Sequence, residues 1–228
     1  MAVIIQVVCL VVLSIALLLW AIYFPYPSPL IRRWLPARKR WPEQQIRGWI
    51  KGKRLQSSFL HYFYRDPERT PQGADGVLAP ADGPITSADV REGIRYLVIA
   101  LSFWDMHVQR SPLAGQVVRV TAHGENFMDG EGREFAFLRE KPCPVQKRLV
   151  IETPEGRLAV RLITSLAARR IETWVKEGDV IGRGQRIGRI LLGSTVVLEL
   201  PADVALRVQV GERVRAGETV VAAALHTP

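Results

Sequence analysis

Between Ala2 and Phe24 lie 23 consecutive positions without a charged side chain, with Gln6 and Ser14 as the polar exceptions. A helix of that length, rising about 1.5 Å per residue, covers the roughly 30 Å hydrocarbon core of a bilayer. Such a stretch has to be surrounded by lipid or by the middle of a protein core. No polar face runs along it, so residues 1–24 are expected to form a retained transmembrane anchor, with a buried core helix as the alternative. A cleaved signal peptide needs a basic start and a small-residue cleavage site. Neither Ala2-Val3-Ile4 nor Phe24-Pro25-Tyr26 supplies one.

The formal charge of +9 would suit a nucleic-acid binder if it were spread over the chain. It is concentrated instead. Arg32, Arg33, Arg38, Lys39, Arg40, Arg47, Lys51, Lys53 and Arg54 stand against Glu43 alone, so this one segment carries nearly all of the excess. Trp34, Trp41 and Trp49 are interleaved with the charges, and such rings favour a membrane interface. Residues 25–66 are therefore expected to be a basic juxtamembrane helical segment lying on anionic lipid, each cation contributing about 1 kcal/mol. A merely solvated charge run is the alternative. The positive-inside rule puts the rest of the chain on the cytoplasmic side of the inner (cell) membrane, and no nucleic-acid partner is expected. Cys9 lies in the anchor and Cys143 in a Pro-flanked loop, so no disulfide is expected. The four histidines His61, His107, His123 and His226 lack the spacing of a metal site.

Leu55 to Tyr64 is apolar and aromatic with helical spacing, ending at Arg65-Asp66-Pro67. Beyond it, in residues 67–228, short apolar runs alternate with Gly, Pro and Asp, which predicts a mainly β (α+β) domain. The predicted strands are 95–101, 116–122, 134–138, 148–152, 157–163, 186–192, 195–200, 205–210 and 219–224. Val175 to Gly184 is echoed 33 positions later by Val208 to Gly217, each copy with two glycines six apart, as turns with positive φ require. This resembles the paired hairpins of biotinyl and lipoyl carrier domains and predicts a β-sandwich of barrel-sandwich type. A carrier needs an exposed lysine between its halves. None follows Lys176, so the carrier function is excluded while the fold likeness stands.

Four stretches carry candidate chemistry. Gly188 to Pro201 reads as a strand interrupted by Gly193-Ser194, either a turn between two short strands or a peptide bond placed for attack by the Ser194 hydroxyl. Asp82, in Ala79-Pro80-Ala81-Asp82-Gly83-Pro84, is a turn former or a functional carboxylate. His107, in Trp104-Asp105-Met106-His107-Val108-Gln109-Arg110-Ser111-Pro112, is a core histidine or an acid–base group. Arg169 and Arg170, after a run of small residues, are a solvated strand end or a contact for lipid phosphate.

Together with Phe63-Tyr64-Arg65-Asp66-Pro67, Gly184-Gln185-Arg186-Ile187-Gly188 and Leu192-Gly193-Ser194-Thr195, these segments resemble the phosphatidylserine decarboxylase family, in its compact form, from about Phe59 to beyond Pro201. The resemblance implies a proenzyme cut between Gly193 and Ser194 into a large chain (1–193) and a small chain (194–228) that remain associated. Ser194 would become an N-terminal pyruvoyl group, with no metal and no pyridoxal phosphate. It would form a Schiff base with phosphatidylserine, whose decarboxylation yields phosphatidylethanolamine. His107 would act as acid and base with Asp82 orienting it. The longer enzymes carry a second histidine where this chain has Arg110, so His123 is the second choice for the other proton transfer. Arg110, Arg169 and Arg170 are candidate lipid or phosphate contacts. Homo-oligomerisation is left open. The rival readings are a non-enzymatic membrane adaptor built on a hairpin sandwich, and a related decarboxylase acting on another amino-acid head group.

Overall fold

The structure, a computed structural model, describes residues 1–23, 28–124, 144–165, 170–192 and 194–225. The chain divides into two compact units, Met1–Tyr62 and Phe63–Pro228. In the first, α1 (Ala2–Tyr23) is a continuous apolar helix with mean hydropathy 3.1 and no residue buried, long and apolar enough to cross a membrane. It is followed by α2 (Pro29–Arg32), α3 (Ala37–Arg40), α4 (Glu43–Lys51) and α5 (Ser57–Phe63). The three tryptophans of this region do not share one environment. Trp34 is exposed, whereas Trp41 is buried against Phe59 and Tyr62 at ring-centroid distances of 5.8 and 4.7 Å. Trp41 is a core residue of its unit because α5 brings two aromatic rings to it.

The second unit is mainly β with few helices. An antiparallel sheet of eight strands curls into a half-barrel in the order β12 (Arg213–Val214), β2 (Gly83–Arg91), β3 (Ile94–Leu101), β11 (Ser194–Pro201), β7 (Gly156–Ile163), β6 (Gln146–Thr153), β5 (Gly115–His123), β9 (Val180–Ile181). Two small sheets accompany it. One pairs β1 (Val77–Leu78) with β13 (Val220–Ala222), and the other sets β10 (Arg186–Leu191) between β4 (Val108–Arg110) and β8 (Arg170–Thr173). Strand alternation sends Leu97, Ile99, Val160, Val196 and Leu198 into one core, where Val77, Ile187, Ile190 and Val221 of the small sheets join them. This is the layered packing expected of a sandwich. On the other face the same strands bury Tyr96, Val98, Ile163 and Val197.

The order of the large sheet is palindromic, and the pairings show an internal duplication. Ile85↔Ile99 and Ser87↔Val98 enclose a bulge in one hairpin, and Val117↔Ile151 and Arg119↔Val150 enclose the matching bulge in the other. Gly211 N donates to Ile85 O and Gly178 N to Val117 O, both at 2.8 Å. Leu78 N donates to Pro112 O at 3.0 Å, and Arg110 N to Pro80 O at 2.9 Å. All four glycines of the repeat seen in the sequence, Gly178, Gly184, Gly211 and Gly217, have positive φ. The pseudo-two-fold runs through the Leu198↔Val160 pair at the sheet centre. It makes Ser194, opposite Leu101, the counterpart of Gly156, opposite Thr153. In one half that position closes a tight turn. In the other the chain enters β11 from Leu192, and the hairpin is open.

Near this centre Glu199 is buried, its carboxylate gripped by Arg148 at 2.6 Å and Arg161 at 2.6 Å. Burial alone would raise this carboxyl, but the two guanidinium groups override it and hold it below the usual carboxylate range. Its stabilising contribution is therefore present above the unfolded-state pKa and is lost as pH falls through the lower folded value. Glu199→Ala should cost about 3 kcal/mol at neutral pH by leaving buried guanidinium groups uncompensated. Urea unfolding of both proteins at pH 7 and pH 3 should show the gap shrinking at the lower pH.

Candidate active site

Ser194 opens β11, whose backbone is bonded to β3 on one side and β7 on the other, so the head of this strand is held from both flanks. Gly193 lies outside the described residues, and Ser194 is described by its backbone. Two positions ahead, Leu192 has φ +69°, the left-handed region that non-glycine residues enter at a cost of roughly 1–2 kcal/mol. The backbone leading into the Gly193-Ser194 bond is thus strained. Strain of this kind persists where the surrounding structure imposes it.

His107 lies on the segment that leaves β3 where its pseudo-symmetric counterpart turns directly into the next strand. Its carbonyl accepts from Ile190 N at 3.2 Å, which ties it to the strand running into Leu192. The ring is buried, stacked on Phe63 at a centroid distance of 4.1 Å and 36°. Nδ1 lies 3.0 Å from the carbonyl oxygen of Asp105. A carbonyl only accepts, so Nδ1 carries the proton and Nε2 the lone pair in the neutral ring. Burial pushes the imidazole down to about 4, against the opposing pull of the Asp105 carbonyl and the Asp105 and Asp82 charges. The ring is therefore neutral at physiological pH, a lone-pair acceptor rather than a group poised near 6.5. Because the folded pKa lies below the unfolded value, this burial costs no stability above pH 6.5 and destabilises progressively as pH falls toward 4. Titration of the imidazole by NMR should give a midpoint near 4; a midpoint at 6.5 would contradict the burial.

Asp105 is the residue that orients His107, through its backbone. Its own carboxylate accepts from Ser102 N at 2.8 Å and Ser102 Oγ at 2.6 Å, and pairs with Arg213, so residues 102–105 form a closed turn. This role was not expected from the sequence, although the Ser-x-x-Asp spacing of Ser102 and Asp105 could have signalled it. Asp82, expected to orient His107 directly, is engaged elsewhere. Arg69 grips both its oxygens at 2.6 and 2.9 Å, and Ala216 N donates to it at 2.9 Å. It acts on the ring through its field, from within a bridge that joins the irregular segment before β1 to the turn before β13.

Arg110, expected as a phosphate contact or the replacement for a second histidine, is buried and committed to the protein. It donates to Asp66 at 2.9 Å, Pro67 O at 3.2 Å and Gly184 O at 3.2 Å. Asp66 also pairs with Arg186. These bonds fasten the Phe63–Pro67 segment so that Phe63 covers His107, a contact with no sequence signal beyond the motif itself. His123 is exposed at the end of β5, its Nε2 3.1 Å from Thr121 Oγ1. The register His123↔Gln146, Gln146↔Ile163, Ile163↔Thr195 puts it three strand spacings, about 14 Å, from β11. The structure does not bring it to His107. Arg169 lies outside the described residues. Arg170 is exposed, paired with Glu172 at 3.1 Å and in register with Leu191. Among the described residues no group of three or more His, Cys, Asp or Glu could hold a metal ion.

Fold and site define a duplicated, mainly β domain in a chain that also carries a long apolar helix, with a buried neutral histidine whose backbone is bonded to the strand running into Leu192. The family model for phosphatidylserine decarboxylase matches residues 57–222, and this chain belongs to that family of lyases. It is 43% identical over 162 residues to a putative archaetidylserine decarboxylase proenzyme of Archaeoglobus fulgidus, covering 71% of this chain and 76% of the relative. It is 36% identical over 176 residues to a phosphatidylserine decarboxylase proenzyme of Desulfotalea psychrophila, covering 73% and 80%.

Proposed function

We propose that this chain is a membrane-anchored, self-processing decarboxylase that converts the serine head group of phosphatidylserine to ethanolamine. The observation that carries it is the strained Leu192 directly ahead of Gly193-Ser194 at the head of a strand clamped on both sides. Such a bond is prepared for attack by the Ser194 hydroxyl on the Gly193 carbonyl, which exchanges the amide for an ester as the hydroxyl proton passes to the freed Ser194 amine. Removal of the Ser194 α-proton then expels the Gly193 carboxylate, and water releases ammonia from the new terminus, leaving a pyruvoyl carbonyl on residue 194. Leu192→Gly should relieve the strain and slow cleavage about tenfold, followed by the disappearance of the uncut band.

The residues present fit that group. β11 would hold it rigidly, and no lysine follows Lys176 to hold a pyridoxal cofactor instead. When bound, such a carbonyl supplies an electron sink for the bond broken as carbon dioxide leaves. The chain's own residues do the rest. His107 Nε2 accepts or returns a proton, Asp105 holds the tautomer, and Phe63 excludes water from the ring. α1 would anchor the protein and the basic segment behind it would set the catalytic unit on the cytoplasmic, anionic leaflet where the substrate resides. The two halves of the cut chain stay together because β11 belongs to the small chain and its neighbours β3 and β7 to the large one. Incubation with phosphatidylserine vesicles should yield phosphatidylethanolamine and carbon dioxide. Failure of properly cut protein to do so would refute the reading. Archaetidylserine is the second substrate to test, because one relative is named for it.

A further inference from the structure

A continuous stack of rings and one cation runs from His107 to the surface. Phe63 lies against His107 at 4.1 Å, Tyr64 against Phe63 at 5.4 Å, the Arg189 guanidinium over Tyr64 at 4.9 Å, and Trp174 5.9 Å from the same guanidinium. The inner end is buried and the outer end is not. Trp174 is 45% exposed and Tyr64 44%, open for two large rings whose centroids lie 5.9 and 4.9 Å from one cation. Glu172 holds Arg189 at 2.6 Å, which fixes the guanidinium beside the two rings. On β8 the exposed Arg170 pairs with the same Glu172 at 3.1 Å, so two arginines share one carboxylate and the cluster stays net positive, and Leu191 beside it runs toward the Gly193-Ser194 bond.

We propose that this Tyr64–Arg189–Trp174 surface is a docking face for an anionic phospholipid bilayer, separate from the apolar helix and the basic segment of the first unit. Amphipathic rings with one apolar body and one polar edge settle at the head-group level, and arginines beside them are attracted to lipid phosphate. The bilayer is the occupant that fits: the charge is complementary, the same chain carries a helix long enough to span lipid, and the surface is the outer end of the stack that begins at His107. Docking there would present head groups to the site without a diffusional search through water. The inference rests on the reading of the substrate as a membrane lipid.

The test is a nitroxide at position 174 (Trp174→Cys, with Cys9 and Cys143 changed to Ser) in the full chain in vesicles of phosphatidylcholine and phosphatidylglycerol. A nitroxide at Val210, also exposed on this unit, is the reference. The label at 174 should collide with oxygen in preference to a water-soluble nickel chelate, and the label at 210 should not. Equal access of nickel to both positions would overturn the inference, and so would shielding of 174 from both reagents, which signifies a protein partner. Arg189→Gln should raise the KM for vesicle substrate about fivefold; an unaltered KM would count against the surface. Phosphatidylethanolamine formation by the unlabelled parent is scored separately, so the docking face can fail while the decarboxylase reading stands.

Discussion

Ser194→Ala should yield one uncut chain of 228 residues with no decarboxylase activity. The substitution removes a single oxygen from the first residue of β11, where backbone bonds to Leu101 on β3 hold the strand regardless of the side chain. Folding should therefore survive. What is lost is the only side-chain atom at that position able to attack the Gly193 carbonyl; without the ester there is no carboxylate to expel, so no elimination and hydrolysis can convert residue 194 to a ketone. Without that carbonyl the electrons of the breaking bond have no acceptor, and the loss is complete rather than graded. Circular dichroism should match the parent. An active Ser194→Ala protein would remove the self-processing account altogether.

His107→Ala should lower turnover by about 10²- to 10⁴-fold in whatever fraction of the protein has cleaved, the range expected for a positioned acid–base group. The buried ring faces a fixed carbonyl at Nδ1, so the neutral tautomer keeps its lone pair on Nε2, the atom at which the proposed proton transfer would occur. Its removal also opens a gap beneath Phe63, so stability should fall as well. The two effects separate by measurement. Turnover per cleaved, folded molecule isolates the chemistry, and thermal unfolding reports the packing. Parent-like turnover would take His107 out of the mechanism.

Much of the domain was legible from local pattern. Strands such as Thr195–Leu200 are apolar on both sides because the centre of the sheet is buried on both faces, and the repeated glycines are forced by turns that need positive φ. β2 was missed, although it is among the longest strands, because Thr86, Ser87 and Asp89 interrupt its apolar pattern and Gly83-Pro84 reads as a turn. The reverse error fell on 205–210, which contributes one isolated bridge, Leu206↔Ala222. The larger duplication was visible only in its last quarter. Its first half preserves backbone geometry, as in Gly83 and Gly115, where an added Cβ would lie 2.1 and 2.3 Å from a neighbouring carbonyl oxygen, while the side chains around them differ.

In the site, the motif marked His107 and Ser194, but partners set by tertiary pairing were invisible. Asp82 meets Arg69, and Arg110 meets Asp66, across separations in sequence that no spacing rule reads. The strain at Leu192 was equally hidden. Leucine is an ordinary strand residue, and its left-handed backbone follows from the way β10 is fastened to His107 on one side while β11 is fixed between β3 and β7 on the other.

Intact mass spectrometry of the purified chain, with and without hydroxylamine, tests the central claim most directly. Two chains parting between Gly193 and Ser194, the smaller lacking an amino terminus and gaining the mass of an oxime, are the expected result. A folded, lipid-reconstituted protein that stays a single chain and takes up no hydroxylamine would contradict it.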